Sequence, residues 1–211
     1  GQTGCMSELS FPTRTPTTRR PSGTPTPAAA SLFMGGWLVL MWVLEVFDQM
    51  TFNSLDQFGV SPRDVSELPQ IFTAPFLHFG YGHLISNSVP FFVLGLLVLL
   101  SGVRPFVAAT LFSVVASGLA AWLLSAPMTV TAGASGLVFG WLAYLLVRAF
   151  FTRTWLHAVV AVVVFLFYGA ILVGVLPGAP GISWQGHLGG AVGGLVAAWV
   201  LHSRRPAGNR R

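Results

Sequence analysis

Ser135 lies in the stretch TAGASGLVFGW (residues 131–141), between Gly133 and Gly136 at the edge of a long apolar run. Serine is a poor helix former, and in lipid its hydroxyl has no water to bond. That hydroxyl becomes a nucleophile when a base takes its proton, and a neutral imidazole is the usual base. Two of the five histidines, His83 and His187, open apolar runs of their own. Asn87 follows His83 at i+4, so the two share one helix face.

These residue types suit acyl transfer. Ser135 begins a predicted helix, so its own N–H points outward at the positive end of the helix dipole. Together with His83 and Asn87, that N–H could hold a developing oxyanion; such donors are worth about 3–4 kcal/mol each. His187 is the candidate base. No Asp or Glu is placed to orient it, because the acids lie in the N-terminal tail, at the end of the first apolar run and in the loop after it. The pair is therefore a Ser–His dyad, and Phe139, one turn after Ser135, can lie against the imidazole. Other readings stay open for the residues taken singly. Ser135 suits a helix N-cap, and His187 suits a structural hydrogen bond. His83 and His187 could ligate a haem, but that leaves Ser135, Asn87 and the glycines without a role. A transporter site also places polar groups at broken helix ends, but no internal repeat or intramembrane charge accompanies these.

The elements that carry these residues are membrane spans. The 211-residue chain is 54% hydrophobic and only 8% charged, with a mean hydropathy of +0.73. Soluble domains carry about a quarter charged residues, so the class is a polytopic, all-α membrane protein. The net charge of +5 comes from arginines that flank apolar runs, which argues for topology and against nucleic acid. Cys5 is alone, which excludes an internal disulfide framework or cysteine metal cluster.

Residues 1–28, rich in Pro, Thr, Ser and Arg, read as a disordered cytoplasmic tail without signal-peptide character, in which Met6 is a candidate start. A six-span domain is expected over 29–202, with runs at 29–47, 83–101, 105–124, 135–147, 155–176 and 187–201. A basic cytoplasmic tail follows at 203–211. Arg14, Arg19, Arg20, Arg104, Arg148, Arg153 and the C-terminal arginines all fall on one side if both termini are cytoplasmic. Only Arg63 falls opposite, outnumbered by Asp56, Asp64 and Glu67. Glu45, His157 and His202 are expected at the membrane interfaces. The even-numbered spans then run inward, and their outer ends bring His83, Asn87, Ser135 and His187 to one height.

Depth follows from helix rise. With Arg148 at the inner surface, Ser135 lies about 20 Å away along the helix, hence roughly 10 Å below the outer surface of a core about 30 Å thick. The loops before the fourth and sixth spans must dip into the membrane and line a wet cavity walled by protein. Gly186, Gly190, Gly194 and Ala198 on the sixth span and Gly136 and Gly140 on the fourth form small-residue faces that let two helices approach closely. If the faces meet, Ser135 and His187 meet with them.

GASG at 133–136, HFGYGHLISN at 78–87 and GHLGGAVGG at 186–194, in this order and on these spans, resemble the rhomboid intramembrane serine proteases. The resemblance covers the six-span region. It implies Ser135 as nucleophile and His187 as general base, with His83, Asn87 and the Ser135 N–H as the oxyanion hole. Gly133, Gly136, Phe139 and Gly190 would be supporting residues, and His78 structural. Phe139 stands where many bacterial members have Tyr, which keeps the stacking surface and loses a hydroxyl. The resemblance also implies transmembrane protein substrates and no cofactor. In the fifth span, VVFLFYGAILVG (163–174) reads as ordinary lipid-facing packing, and the resemblance raises the alternative of a movable wall between cavity and lipid. An arginine-only basic content points to a GC-rich bacterial genome and so to the plasma membrane. A non-catalytic relative that binds or escorts transmembrane segments is the rival function.

Overall fold

The computed structural model describes residues 23–178 and 181–203. Six α-helices run in chain order: α1 Pro27–Met50, α2 Tyr81–Leu99, α3 Val103–Leu124, α4 Ser135–Thr152, α5 Trp155–Tyr168 and α6 Trp184–His202. Short 3₁₀ turns at Asp56–Phe58, Val65–Ile71 and Ala74–Phe76 punctuate the connection from α1 to α2, and another, Gly169–Val175, continues α5. No strand occurs among the described residues; Val60 and Thr131 form one isolated antiparallel bridge.

Five of the helical segments are long and apolar enough to cross a membrane: α1 to α4, and Trp155–Val175 with a mean hydropathy of 2.8. α6 falls short of that apolarity, because five glycines, Gln185 and two histidines dilute it. Protein covers the small-residue faces of α6, while Leu188, Val192, Leu195 and Trp199 stay exposed. The helix packs between α3 and α4, and its buried residues are Gly186, Gly189, Gly190, Gly193, Gly194, Ala197 and Ala198. Exposed apolar stripes elsewhere fit a lipid setting. α1 buries Ala30, Met34, Met41, Glu45 and Asp48 along one stripe and exposes Leu32, Val39, Val43 and Phe47 on the other side.

The α4–α6 seam follows from glycine. A Cβ on Gly190 would strike the Gly136 backbone carbonyl, and one on Gly194 would strike that of Gly140, so the two helices touch backbone to backbone. α6 approaches α3 as closely on its other side: Gly189 and Gly193 lie against the carbonyls of Ala116 and Phe112. Small residues permit this contact, and where no side-chain burial drives helices together in lipid it is what holds them. α4 is the central element, with Leu137, Val138, Trp141, Leu142 and Leu145 all buried. An aromatic cluster of Trp37, Phe91, Phe106 and Trp141 fills the space where α1, α2, α3 and α4 meet.

Several expected positions shift. Helix α1 begins at Pro27, inside the segment 1–28, because the Thr26 hydroxyl accepts from Ala29 N–H and Pro27 stands at the first turn, where its missing N–H costs nothing. Residues 1–22 and 204–211, which hold most of both expected tails, lie outside the described residues. The α-helical part of the fifth segment stops at Tyr168 instead of running to 176. α6 begins at Trp184, so His187 lies inside the first turn rather than at the start; the Ser183 hydroxyl accepts from Gly186 N–H and sets that start. Arg148 is not at an open interface. It is 4% exposed, its guanidinium donates to the Ser101 hydroxyl and it lies 5.8 Å from the Tyr144 ring centre. The Tyr144 hydroxyl in turn pairs with His202 Nε2 at 3.2 Å. Glu45, expected at an interface, is 2% exposed and buried beside Asp48.

Candidate active site

The segment before α4 is pinned at three successive points. Thr131 exchanges both backbone hydrogen bonds with Val60, at 2.8 and 2.9 Å. Gly133 N–H donates to Ala74 C=O at 2.9 Å, and Ala134 N–H donates to His78 Nε2 at 3.3 Å. All three acceptors belong to the 51–80 connection, so that connection fixes the backbone entering Ser135. The connection is itself tied to α3. Arg63 donates to Leu123 C=O and Ser125 C=O at 3.3 and 2.9 Å, where the helix leaves carbonyls unpaired, and Trp122 Nε1–H donates to Asp64 C=O at 2.8 Å. Gly133 has φ +129°, a backbone state that L side chains avoid, and a Cβ there would lie 2.7 Å from the His83 ring. Glycine is thus required twice at this position, once for the turn and once for the approach of His83.

His78 is buried at 1% exposure and anchors that loop. Because its Nε2 accepts from Ala134, its proton resides on Nδ1. Burial first, and the adjacent His83 second, push its pKa down to about 3, so it is a neutral acceptor at all ordinary pH. His83 has the opposite tautomer: its Nδ1 accepts from Phe79 N–H at 3.4 Å, which leaves the proton on Nε2, the ring edge that faces Gly133. Asn87 is 6% exposed and spends one of its two side-chain N–H groups on His83 C=O at 3.0 Å. α4 begins at Ser135, so the Ser135 N–H has no intrahelical acceptor.

His187 stacks on Phe139, with ring centres 4.1 Å apart and planes inclined by 13°. Its Nδ1 lies 3.0 Å from Gly174 C=O. A carbonyl only accepts, so Nδ1 carries the proton and Nε2 keeps a free lone pair. His83 therefore presents an N–H and His187 presents a lone pair. Both line one cavity of about 730 Å³ together with Asn87, Ser135 and Phe139. Among the described residues the Ser135 hydroxyl makes no hydrogen bond to His187; such contacts in a substrate-free site are often long and close only when substrate is bound. The arrangement has the parts for proton removal from a hydroxyl on one side and stabilisation of negative charge on the other.

The structure thus brings Ser135, His187, His83, Asn87 and Phe139 together around one space, with Gly133 against the His83 ring and Gly136 and Gly190 in the α4–α6 seam. Sequence reasoning missed Gly174 because a backbone carbonyl leaves no side-chain signature. It also missed the part of the 51–80 connection in seating Ser135.

Buried polar groups held by apolar, lipid-compatible helices define a polytopic helical membrane protein. Within that class the chain belongs to the rhomboid family: the Rhomboid domain profile matches residues 65–204. Its relatives include uncharacterized protein Rv1337 of Mycobacterium tuberculosis and uncharacterized protein Mb1372 of Mycobacterium bovis. Each is 40% identical over 201 residues, covering 86% of this chain and 84% of the relative. Uncharacterized protein ML1171 of Mycobacterium leprae is 40% identical over 173 residues, covering 78% of this chain and 68% of the relative.

Proposed function

We propose that this protein is an intramembrane serine endopeptidase that cleaves transmembrane segments of membrane proteins near the outer side of the bilayer. The observation that carries the reading is the pairing of opposite tautomers around one serine: an N–H from His83 and a lone pair from His187, in a cavity that also holds Asn87 and the free Ser135 N–H. In this reading His187 Nε2 takes the Ser135 proton as Oγ attacks the scissile carbonyl carbon. The new C–O bond leaves a negative oxygen among His83, Asn87 and the Ser135 N–H. Collapse breaks the C–N bond, and His187 returns the proton to the leaving nitrogen. Water then repeats the sequence on the acyl-enzyme and frees Ser135. The chemistry calls for no metal or organic cofactor. The location is the plasma membrane, with both termini cytoplasmic.

One observation favours the rival, a non-catalytic protein that binds or escorts transmembrane segments: the Ser135 hydroxyl and His187 are not hydrogen-bonded. A serine-directed fluorophosphonate separates the two. The expected result is labelling of Ser135 that disappears in Ser135→Ala and falls at least about a hundredfold in rate in His187→Ala. Absence of labelling in a folded wild-type protein overturns the peptidase reading.

A further inference from the structure

His187 has no carboxylate to orient it, yet a base whose ring can rotate or change tautomer spends only part of its time with a lone pair toward the nucleophile. In serine hydrolases a third group fixes the tautomer, and its loss is severe. We infer that the backbone carbonyl of Gly174 is that third group here, which makes the Gly169–Val175 turn at the end of the fifth segment a positioning element for the base.

The geometry is specific. Gly174 C=O lies 3.0 Å from His187 Nδ1. A Cβ on Gly174 would lie 2.9 Å from Phe139 Cζ and 3.1 Å from His187 Nδ1, so a side chain there crowds the carbonyl's contact with the ring. The imidazole is thus held at its face by Phe139 and at its edge by the Gly174 carbonyl. Together they leave Nε2 as the free edge of the ring. The segment that supplies the carbonyl has little protein cover, with Ile171 and Leu172 only partly buried against the core. Val164 is the one buried residue of α5, and none of Gly169–Val175 is buried. α5 packs chiefly on α4, away from the α3–α6 contact. A displacement of this segment withdraws the carbonyl without touching Ser135, so the readiness of the base depends on the seating of the fifth segment. The catalytic consequence rests on the peptidase reading; the hydrogen bond does not.

The test is ¹⁵N NMR of the full chain, labelled at histidine, in detergent micelles, with the His187 signals assigned by their loss in His187→Gln. The expected spectrum shows one tautomer protonated on Nδ1. Gly174→Ala should give a mixture of tautomers, and with a transmembrane-segment substrate it should lower kcat between about tenfold and about a hundredfold, with KM within about twofold. Leu166→Ala, at an exposed position outside that turn, should alter neither. If Gly174→Ala does not fold, replacing the Gly174–Val175 amide by an ester weakens the same acceptor without adding bulk, and the same change is expected. A wild-type ring protonated on Nε2, or a tautomer unmoved in the variant that folds, overturns the inference. The tautomer is read whether or not the protein cleaves peptides. A fixed Nδ1–H with no fluorophosphonate labelling would therefore sink the peptidase reading and leave the positioning contact standing.

Discussion

The α4–α6 seam and the fifth segment meet at one imidazole, Phe139 on its face and Gly174 at its edge, and they are held in opposite ways. Along the seam, backbone meets backbone at Gly136/Gly190 and Gly140/Gly194, and α6 is closed from behind by α3 at Gly189 and Gly193. The fifth segment has 14 α-helical residues of which Val164 alone is buried. Leu166 and Phe167 are 74% and 77% exposed. Ser135 and His187 both belong to the closely packed, fixed side, while the Gly174 carbonyl belongs to the sparsely covered, loose side. The side chains of Ser135 and His187 are thereby held in register by closely packed helices, and the group at the His187 ring edge is a backbone carbonyl on a sparsely covered turn.

The comparison breaks first, and hardest, at the seam. A leucine at Gly190 would place its Cβ within 3.0 Å of the Gly136 carbonyl carbon and Cα, atoms that cannot rotate away. Overpacking usually costs about 1–3 kcal/mol where side chains can yield; here the backbone itself must part, so Gly190→Leu is expected at or above about 3 kcal/mol. Thermal unfolding in detergent micelles measures it. A variant within about 1 kcal/mol of wild type would show that α4 and α6 are not bound by this contact.

A smaller effect tests whether the fixed side extends into the 51–80 connection. Asp56 has its pKa raised from 3.8 to about 6, first by burial and then by the neighbouring carboxylates of Asp48 and Glu45; a proton on Asp56 also lets it hydrogen-bond to Asp48. The folded protein therefore binds more protons than the unfolded chain between about pH 4 and pH 6. Stability must fall as pH rises through that window and level off above it. Asp56→Asn should remove this part of the decline, read as thermal midpoints at pH 4, 5, 6 and 7. Identical pH dependence in the variant would show that Asp56 is not protonated in the fold. Because this connection bonds to Thr131, Gly133 and Ala134, loosening it should also loosen the entry to Ser135.

The all-helical membrane fold and the family were legible from composition, arginine placement and three motifs. So was the glycine face of α4 against α6, because small residues at four-residue spacing mean close approach whatever the partner. What stayed illegible has two physical causes. Burial of charge depends on neighbours distant in sequence: Glu45 and Arg148 look interfacial on their own helices and are covered once the bundle closes. Backbone groups carry no residue signature either. Nothing in the residues VVFLFYGAILVG announces that α5 gives way to a 3₁₀ turn at Gly169, or that the Gly174 carbonyl reaches His187. The second glycine face of α6, Gly189 and Gly193, was visible in the same motif and needed only a second partner helix to explain it.

The smallest expected effect lies on the loose side, and it sharpens the comparison by being small. Leu166 and Phe167 are mostly exposed and bury little against the rest of the protein. Removing them shortens side chains without opening a protein cavity, so the cavity cost of core truncation does not arise. The double variant Leu166→Ala/Phe167→Ala should therefore lie within about 0.5 kcal/mol of wild type, the range of ordinary surface substitutions. The same thermal unfolding measurement used for Gly190→Leu decides it. A loss of about 2 kcal/mol or more would mean that the fifth segment is held as firmly as the seam. In that case the orienting carbonyl could not move independently of the base, and the two sides of the imidazole would be one rigid wall.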